Sequence, residues 1–215
     1  MLIIIPLVGL AIGAFLISPF SERLKLKDSS EDVTVSATDY QEVELNIKNE
    51  YLYNSNSPRI GENDSLARIV IFSDYQCPFC ADADEIINQL ITKYGDKIQL
   101  THRDFVVHPT ATIHAKAAQA ANLQGKFLEM NKELFSDANL DVENEDGVIR
   151  LAEKLSLDIT KFRADLNSEA INTIIDQDKK DASNIGLTGT PSIFFNGEKA
   201  SASGLEAKIK ETLGE

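Results

Sequence analysis

All the sulfur chemistry open to this 215-residue chain, its two methionines aside, sits in one short motif: the two cysteines are Cys77 and Cys80, with Pro78 and Phe79 between them. A disulfide closing so small a loop removes little chain entropy, because that benefit grows with loop length. The pair is therefore read as reactive rather than as a staple. A disulfide-framed secreted scaffold, which needs several pairs spread along the chain, is excluded. The surroundings of the motif narrow the fold. Ile69 to Phe72 is a continuous apolar run rich in β-branched residues, the pattern of a strand buried on both faces. Residues 81–94 carry apolar side chains at 83, 86, 87, 90 and 91, the spacing of an amphipathic helix, with Gly95 as its stop. Residues 98–105, with Ile98, Leu100 and His102 alternating inward or outward, read as a second strand. The motif thus stands at the strand-to-helix junction of a βαβ unit, right-handed by default.

That junction assigns each cysteine a place. Pro78 suits the first helical position, where its missing N–H costs nothing and its φ is already helical. Cys77 becomes the N-cap, its sulfur facing the unpaired N–H groups of the first turn and the positive end of the helix dipole, which favour thiolate over thiol. Cys80 lies one turn inside the helix on the same face and is the natural resolving thiol. A metal half-site is the alternative, with His108 and His114 as further ligands. However, 27 residues separate Cys80 from His108 where about 12 to 15 are usual, and Pro109 intervenes. No metal and no cofactor are expected. Asp74, three residues before Cys77, reads as a solvated acid at a strand end whose charge opposes the thiolate. His102, His108 and His114 are assigned no role.

Beyond the βαβ unit, residues 110–186 read as helical, with helices over 111–123, 126–135, 146–155, 159–166 and 168–185 and Gly186 as the last cap. A short buried strand follows over 192–195. Asn196-Gly197 signals a tight hairpin, so residues 198–203 return antiparallel, and 205–213 close the chain as a helix. Lys and Arg number 21 against 34 Asp and Glu, a net charge of -13, which leaves no counterion-release term to drive nucleic-acid binding. At the other end, residues 2–17 are apolar apart from Pro6, Gly9 and Gly13, and the run extends to Phe20. It reads as a membrane anchor over 1–20, ahead of a cleaved signal or a buried soluble helix. A Ser-, Asn- and acid-rich linker is expected over 21–57 and the folded domain over 58–215. Arg23, Lys25 and Lys27 follow the run, so the positive-inside rule alone places the domain in the cytoplasm.

Three segments carry a family resemblance: Phe72-Ser73-Asp74-Tyr75-Gln76-Cys77-Pro78-Phe79-Cys80; Gln124-Gly125-Lys126-Phe127 with Glu129-Met130; and Gly189-Thr190-Pro191-Ser192 before Ile193-Phe194-Phe195-Asn196-Gly197. In order and spacing, over about Pro58 to Leu213, they resemble the DsbA-like thiol:disulfide oxidoreductases. The resemblance implies an α/β thioredoxin fold with a helical insertion over about 106–186, here preceded by the N-terminal transmembrane helix. It implies Cys77 as nucleophile, Cys80 as resolving cysteine, and Pro191 as a cis-proline facing them, although base rates alone make an X-Pro bond trans. Thr190, Pro78, Phe79 and Asp74 are the supporting residues. Strongly oxidising members have His where Phe79 stands, and Phe79 brings neither hydrogen bond nor positive charge. The implied enzyme is a monomer on the extracytoplasmic side that forms disulfides in cysteine-containing exported proteins and is reoxidised by a membrane redox partner. A reductase or isomerase on the same fold, and a thiolate metal-binding module, are the alternative functions.

Overall fold

The computed structural model describes residues 49–136, 142 and 144–215; the anchor expected over 1–20 and most of the expected linker lie outside the described residues. Among the described residues no helix is long and apolar enough to cross a membrane. Strands β1 (Arg59–Ile60), β2 (Ala67–Ser73), β3 (Ile98–Asp104), β4 (Ser192–Phe195) and β5 (Glu198–Ala200) form one sheet in the order β1-β3-β2-β4-β5. Only β2 and β3 run parallel among these neighbours. Helix α1 (Pro78–Tyr94) makes their crossover and stops at Gly95, whose φ of 53° suits glycine. Between β3 and β4 come α2 (Thr112–Asn122), α3 (Phe127–Leu134), α4 (Glu145–Lys154), α5 (Ile159–Leu166) and α6 (Glu169–Asn184), and α7 (Leu205–Leu213) ends the chain. The α/β layout with a helical insertion is as the sequence led us to expect.

The apolar run of β2 is explained by cover on both faces. Ile69 and Ile71 pack with Ala83, Ile87 and Leu90 of α1 and with Leu205 and Ile209 of α7. Val70 and Phe72, pointing the other way by strand alternation, pack with Leu52, Phe105, Ala182 and Phe194. A third core belongs to the insertion, where the alanines of α2 let Phe127, Met130, Phe162 and Leu166 close around it. Tyr75, from the loop before Cys77, is part of that core and not of the sheet's. At the hairpin, Asn196 and Gly197 both have positive φ, 48° and 88°, as a two-residue turn that follows the strand twist requires.

Two sequence expectations are corrected. Residues 49–57 are not spacer: Leu52 is fully buried, and the carbonyls of Tyr51 and Leu52 accept from Arg103 Nη1 at 2.6 and 3.0 Å. Strand β3 does not alternate between core and solvent, since all of its residues are buried. Its charged residue Arg103 is accommodated because Nε donates to Asp178 Oδ1 at 2.7 Å and Nη2 to Asp181 Oδ2, both on α6. Next to it, Asp104 Oδ2 accepts from Gln119 Nε2 at 2.6 Å.

One guanidinium faces three carboxyls here, and the surplus charge falls on Asp104. Burial pushes its carboxyl up to about 8, with the Asp178 charge adding and the Gln119 bond and Arg103 opposing. Burial brings the His102 imidazole down to about 3, and the Arg103 charge adds to this. The two act oppositely on stability. The contribution of Asp104 is complete below its ordinary 3.8 and is lost as pH rises through about 8. That of His102 is present above 6.5 and is lost as pH falls towards about 3. Chemical denaturation between about pH 6 and about pH 8.5 should show the unfolding free energy falling by about 2 kcal/mol, and Asp104→Asn should flatten most of that fall. An unchanged slope in the variant would assign the proton to another group.

Candidate active site

Helices α4, α5 and α6 begin with Asn144, Asp158 and Ser168, each of whose side chains accepts from a first-turn N–H. Helix α1 begins with Cys77, extended at φ -87° and ψ 117°, with Pro78 inside it and no side-chain cap bond. The expected positions of Cys77 and Pro78 are therefore the observed ones. The sulfur, however, does not accept from the first turn: Cys77 Sγ donates to the carbonyl oxygen of Thr190 at 3.4 Å. Both cysteines are free thiols, and a thiol carries a hydrogen for which the Thr190 carbonyl is the adjacent acceptor. The Thr190–Pro191 peptide is cis. The loop before β4 is thus brought against the start of α1, joining residues 113 positions apart.

The two sulfurs differ in access. Cys77 keeps 7% of its surface exposed and Cys80 none, while Phe79 between them is 69% exposed. Burial pushes the Cys80 thiol up to about 11; the Ser73 hydroxyl, the Asp74 backbone N–H and the Thr190 hydroxyl act against that rise, and Cys77 adds to it. The Thr190 carbonyl faces Cys77.

Asp74 is the largest departure from expectation. It is fully buried rather than solvated. Its Oδ1 accepts from Gln76 N at 2.8 Å, and its Oδ2 from Val107 N at 2.7 Å and His108 N at 2.8 Å. His108 Nδ1 lies 3.1 Å from Oδ1. Three backbone donors absorb the charge, so the carboxylate clamps the motif loop to the segment after β3 instead of facing the sulfur. Gln76 strengthens this seam by accepting from the Thr110 hydroxyl.

Other polar residues hold the loop from behind. Tyr75 stacks on His102 at 5.6 Å between centroids, and its hydroxyl donates to Asn131 Oδ1 at 2.9 Å. Asn131 donates in turn to Asp84 Oδ1 at 2.6 Å, and burial pushes the Asp84 carboxyl up to about 6. Phe127, in the Gln124-Gly125-Lys126-Phe127 segment, packs on the other side of His102 at 5.3 Å. His114 is placed elsewhere, with Nε2 against the carbonyl of Val142, so the two histidines of the metal alternative do not converge on the cysteines. Among the described residues no group of three or more His, Cys, Asp or Glu is arranged to hold a metal. Sequence reasoning missed His108, Asp84 and Asn131. For His108 a signal existed, its place directly after the second strand, where that strand's end faces the motif.

Comparison with known proteins agrees with this geometry. A family model described as thioredoxin matches residues 53–214. The chain belongs to the thioredoxin family, and its two cysteines stand at the start of helix α1. The thioredoxin-like oxidoreductase of Silicibacter pomeroyi DSS-3 is similar with 25% identity and a TM-score of 0.67 over 77% of this chain and 98% of that one. The thiol-disulfide exchange protein alpha-DsbA2 of Wolbachia pipientis shares the fold at 20% identity and a TM-score of 0.66, over 82% and 99% of the two chains. A Na(+)/H(+) antiporter, NhaA 1 of Mycobacterium sp. (strain KMS), is 35% identical over 144 residues, which are 65% of this chain and 23% of the antiporter. The chain thus matches only about a quarter of that protein's length, and the antiporter's name describes the longer protein.

The difference in access predicts selective labelling. Brief treatment of the reduced protein with iodoacetamide near neutral pH should modify Cys77 alone, and Cys77→Ala protein should label at Cys80 more than about tenfold more slowly. Comparable labelling of both sulfurs, read by peptide mass spectrometry, would contradict the geometry.

Proposed function

We propose that this protein forms disulfides in exported, cysteine-containing proteins by passing on a Cys77–Cys80 disulfide, from a domain held on the extracytoplasmic side by an anchor in residues 1–20. The observation that carries the reading is the placement of a slightly exposed Cys77 sulfur at a helix start, 3.4 Å from the Thr190 carbonyl, with a fully buried Cys80 behind it. A substrate thiolate attacks Cys77, the only sulfur it can reach, and Cys80 leaves with the electron pair of the broken bond. A second substrate thiolate then attacks the substrate sulfur of the mixed disulfide, which releases the oxidised substrate and the Cys77 thiolate. Two electrons have passed from substrate to enzyme, and a membrane redox partner removes them. No metal or organic cofactor is required, because every electron moves between sulfurs.

The remaining supporting residues fit an extended peptide substrate. The half-buried Thr190–Pro191 segment offers backbone beside Cys77 for strand-like pairing, and exposed Pro78 and Phe79 present an apolar edge. Asp74 keeps the loop in place. The domain acts as a monomer in this reading.

One observation favours the reverse direction. Burial pushes Cys80 up to about 11, and a sulfur that resists ionising is a poor leaving group, which makes a disulfide less oxidising. Equilibration of the full chain with glutathione buffers decides between the two. A potential near about -120 mV identifies a disulfide donor, and one near about -270 mV a reductase. Cys80→Ala should in either case accumulate a mixed disulfide through Cys77, and its absence would overturn the exchange reading itself.

A further inference from the structure

Asn131 belongs to α3 of the insertion and is 1% exposed, yet its carboxamide reaches both sides of the cysteine motif. Its Oδ1 accepts from the Tyr75 hydroxyl at 2.9 Å, and Tyr75 precedes Cys77 by two residues. Its Nδ2 donates to Asp84 Oδ1 at 2.6 Å, and Asp84 follows Cys80 by four. One side chain therefore brackets the segment that carries both sulfurs. The chemistry of Asp84 settles the direction of the two bonds. Burial pushes its carboxyl up to about 6, and the Asn131 and Asn88 bonds act against that rise. At pH 7 it is chiefly the carboxylate, which only accepts. Asn131 must then turn its NH2 to Asp84 and its carbonyl to Tyr75, whose hydroxyl must donate. Both ends of the bracket are themselves fixed. Asp84 Oδ2 accepts from Asn88 Nδ2 at 2.7 Å, and the Tyr75 ring packs on His102 and Phe135 at 5.6 and 4.7 Å between centroids.

We propose that Asn131 is a positioning residue for the redox pair: by tying residues 75 and 84 to one point of the insertion, it holds the motif in its dithiol shape and makes the Cys77–Cys80 disulfide easier to reduce. The proposal rests on Cys77 and Cys80 being the exchanging pair. Both are thiols here, and both bonds of Asn131 are complete beside them. Closing the disulfide draws the sulfurs to about 2.05 Å, which moves the N-cap and first turn of α1 while residues 75 and 84 stay held. Bonds that are fully made beside the dithiol are at best equalled beside the disulfide. Their energy therefore counts on the side of the dithiol.

The Asp74 clamp differs in kind, because it grips the motif on its N-terminal side and leaves α1 free. The balance is read directly by exchange with glutathione. Oxidation of the protein forms the Cys77–Cys80 bond and breaks the sulfur–sulfur bond of glutathione disulfide. Two electrons and the two thiol protons pass to two glutathione thiols, so the position of equilibrium compares the dithiol with the disulfide and with nothing else.

The test is that equilibrium for the full chain, with Tyr75→Phe, Asn131→Ala and Phe162→Leu beside wild type. Tyr75→Phe cuts one arm of the bracket and Asn131→Ala both. Loss of hydrogen bonds that favour the dithiol should move the equilibrium constant towards the disulfide by about two- to tenfold, further in Asn131→Ala than in Tyr75→Phe. Phe162, fully buried in the insertion core, makes neither bond and serves as the control. Phe162→Leu should lower the thermal unfolding midpoint and leave the equilibrium at its wild-type position. A folded Tyr75→Phe protein with the wild-type equilibrium overturns the proposal, even where Asn131→Ala does not fold. So does a shift towards the dithiol in either variant, or a shift in Phe162→Leu as large as that in Tyr75→Phe. Those outcomes leave the exchange reading intact. A wild-type chain that forms no Cys77–Cys80 disulfide at any glutathione ratio would instead sink the exchange reading, and the role of Asn131 with it.

Discussion

The guanidinium of Arg103 is wholly buried, and the relation of the sheet to its surroundings depends on how it is satisfied. It binds two carboxylates of α6 and two carbonyls of residues 51 and 52, and it lies over the Phe72 ring at 5.1 Å. One side chain thus fastens the middle of the sheet to the last helix of the insertion and to the segment preceding β1. A charge taken so far from water is tolerated only when its donors are matched this fully. Asp178 extends the arrangement by accepting from Asp104 N at 2.8 Å, which fixes the end of β3. The loop that follows is the one Asp74 grips. The position of the cysteine motif relative to the insertion is therefore set by two buried charges, one at each end of the same connection.

This anchoring explains why the motif loop divides its side chains between cores. Phe72 belongs to the sheet, Tyr75 to the helical insertion, and Asp74 between them faces neither apolar cluster. A loop committed to both bodies cannot swing with either one. The Cys77 backbone N–H donates to Asp74 O at 3.1 Å, so the same residue that ties the loop to residues 107 and 108 also shapes the turn into α1. The loop that carries Cys77 is thus held by residues of both the sheet and the insertion.

What the sequence disclosed follows from how local each signal is. The βαβ unit, the stop at Gly95 and the Asn196-Gly197 turn are written in neighbouring residues, and the structure has them where the pattern puts them. The features that misled are those whose environment comes from afar. Asp74 at a strand end reads as solvent-facing, because a charged side chain is normally exposed, and nothing local marks Arg103 within its strand for burial. Their partners lie 33 and 75 positions away, and nothing in the local pattern announces them. Leu52 fails similarly. It stands in a polar stretch that resembles linker, and its burial depends on a pocket made by β2, β4 and α6.

Thr190 shows how one residue serves two sulfurs with different needs. Its carbonyl is an acceptor and bonds Cys77 only while that sulfur carries hydrogen. Cys80 is fully buried, and burial pushes its thiol up to about 11 while the hydroxyls of Ser73 and Thr190 and the Asp74 N–H act against that rise. Its surroundings favour the anion by hydrogen bonding and disfavour it by burial. Burial is the stronger of the two. A Cys80 sulfur in this setting is accordingly held as the thiol at neutral pH.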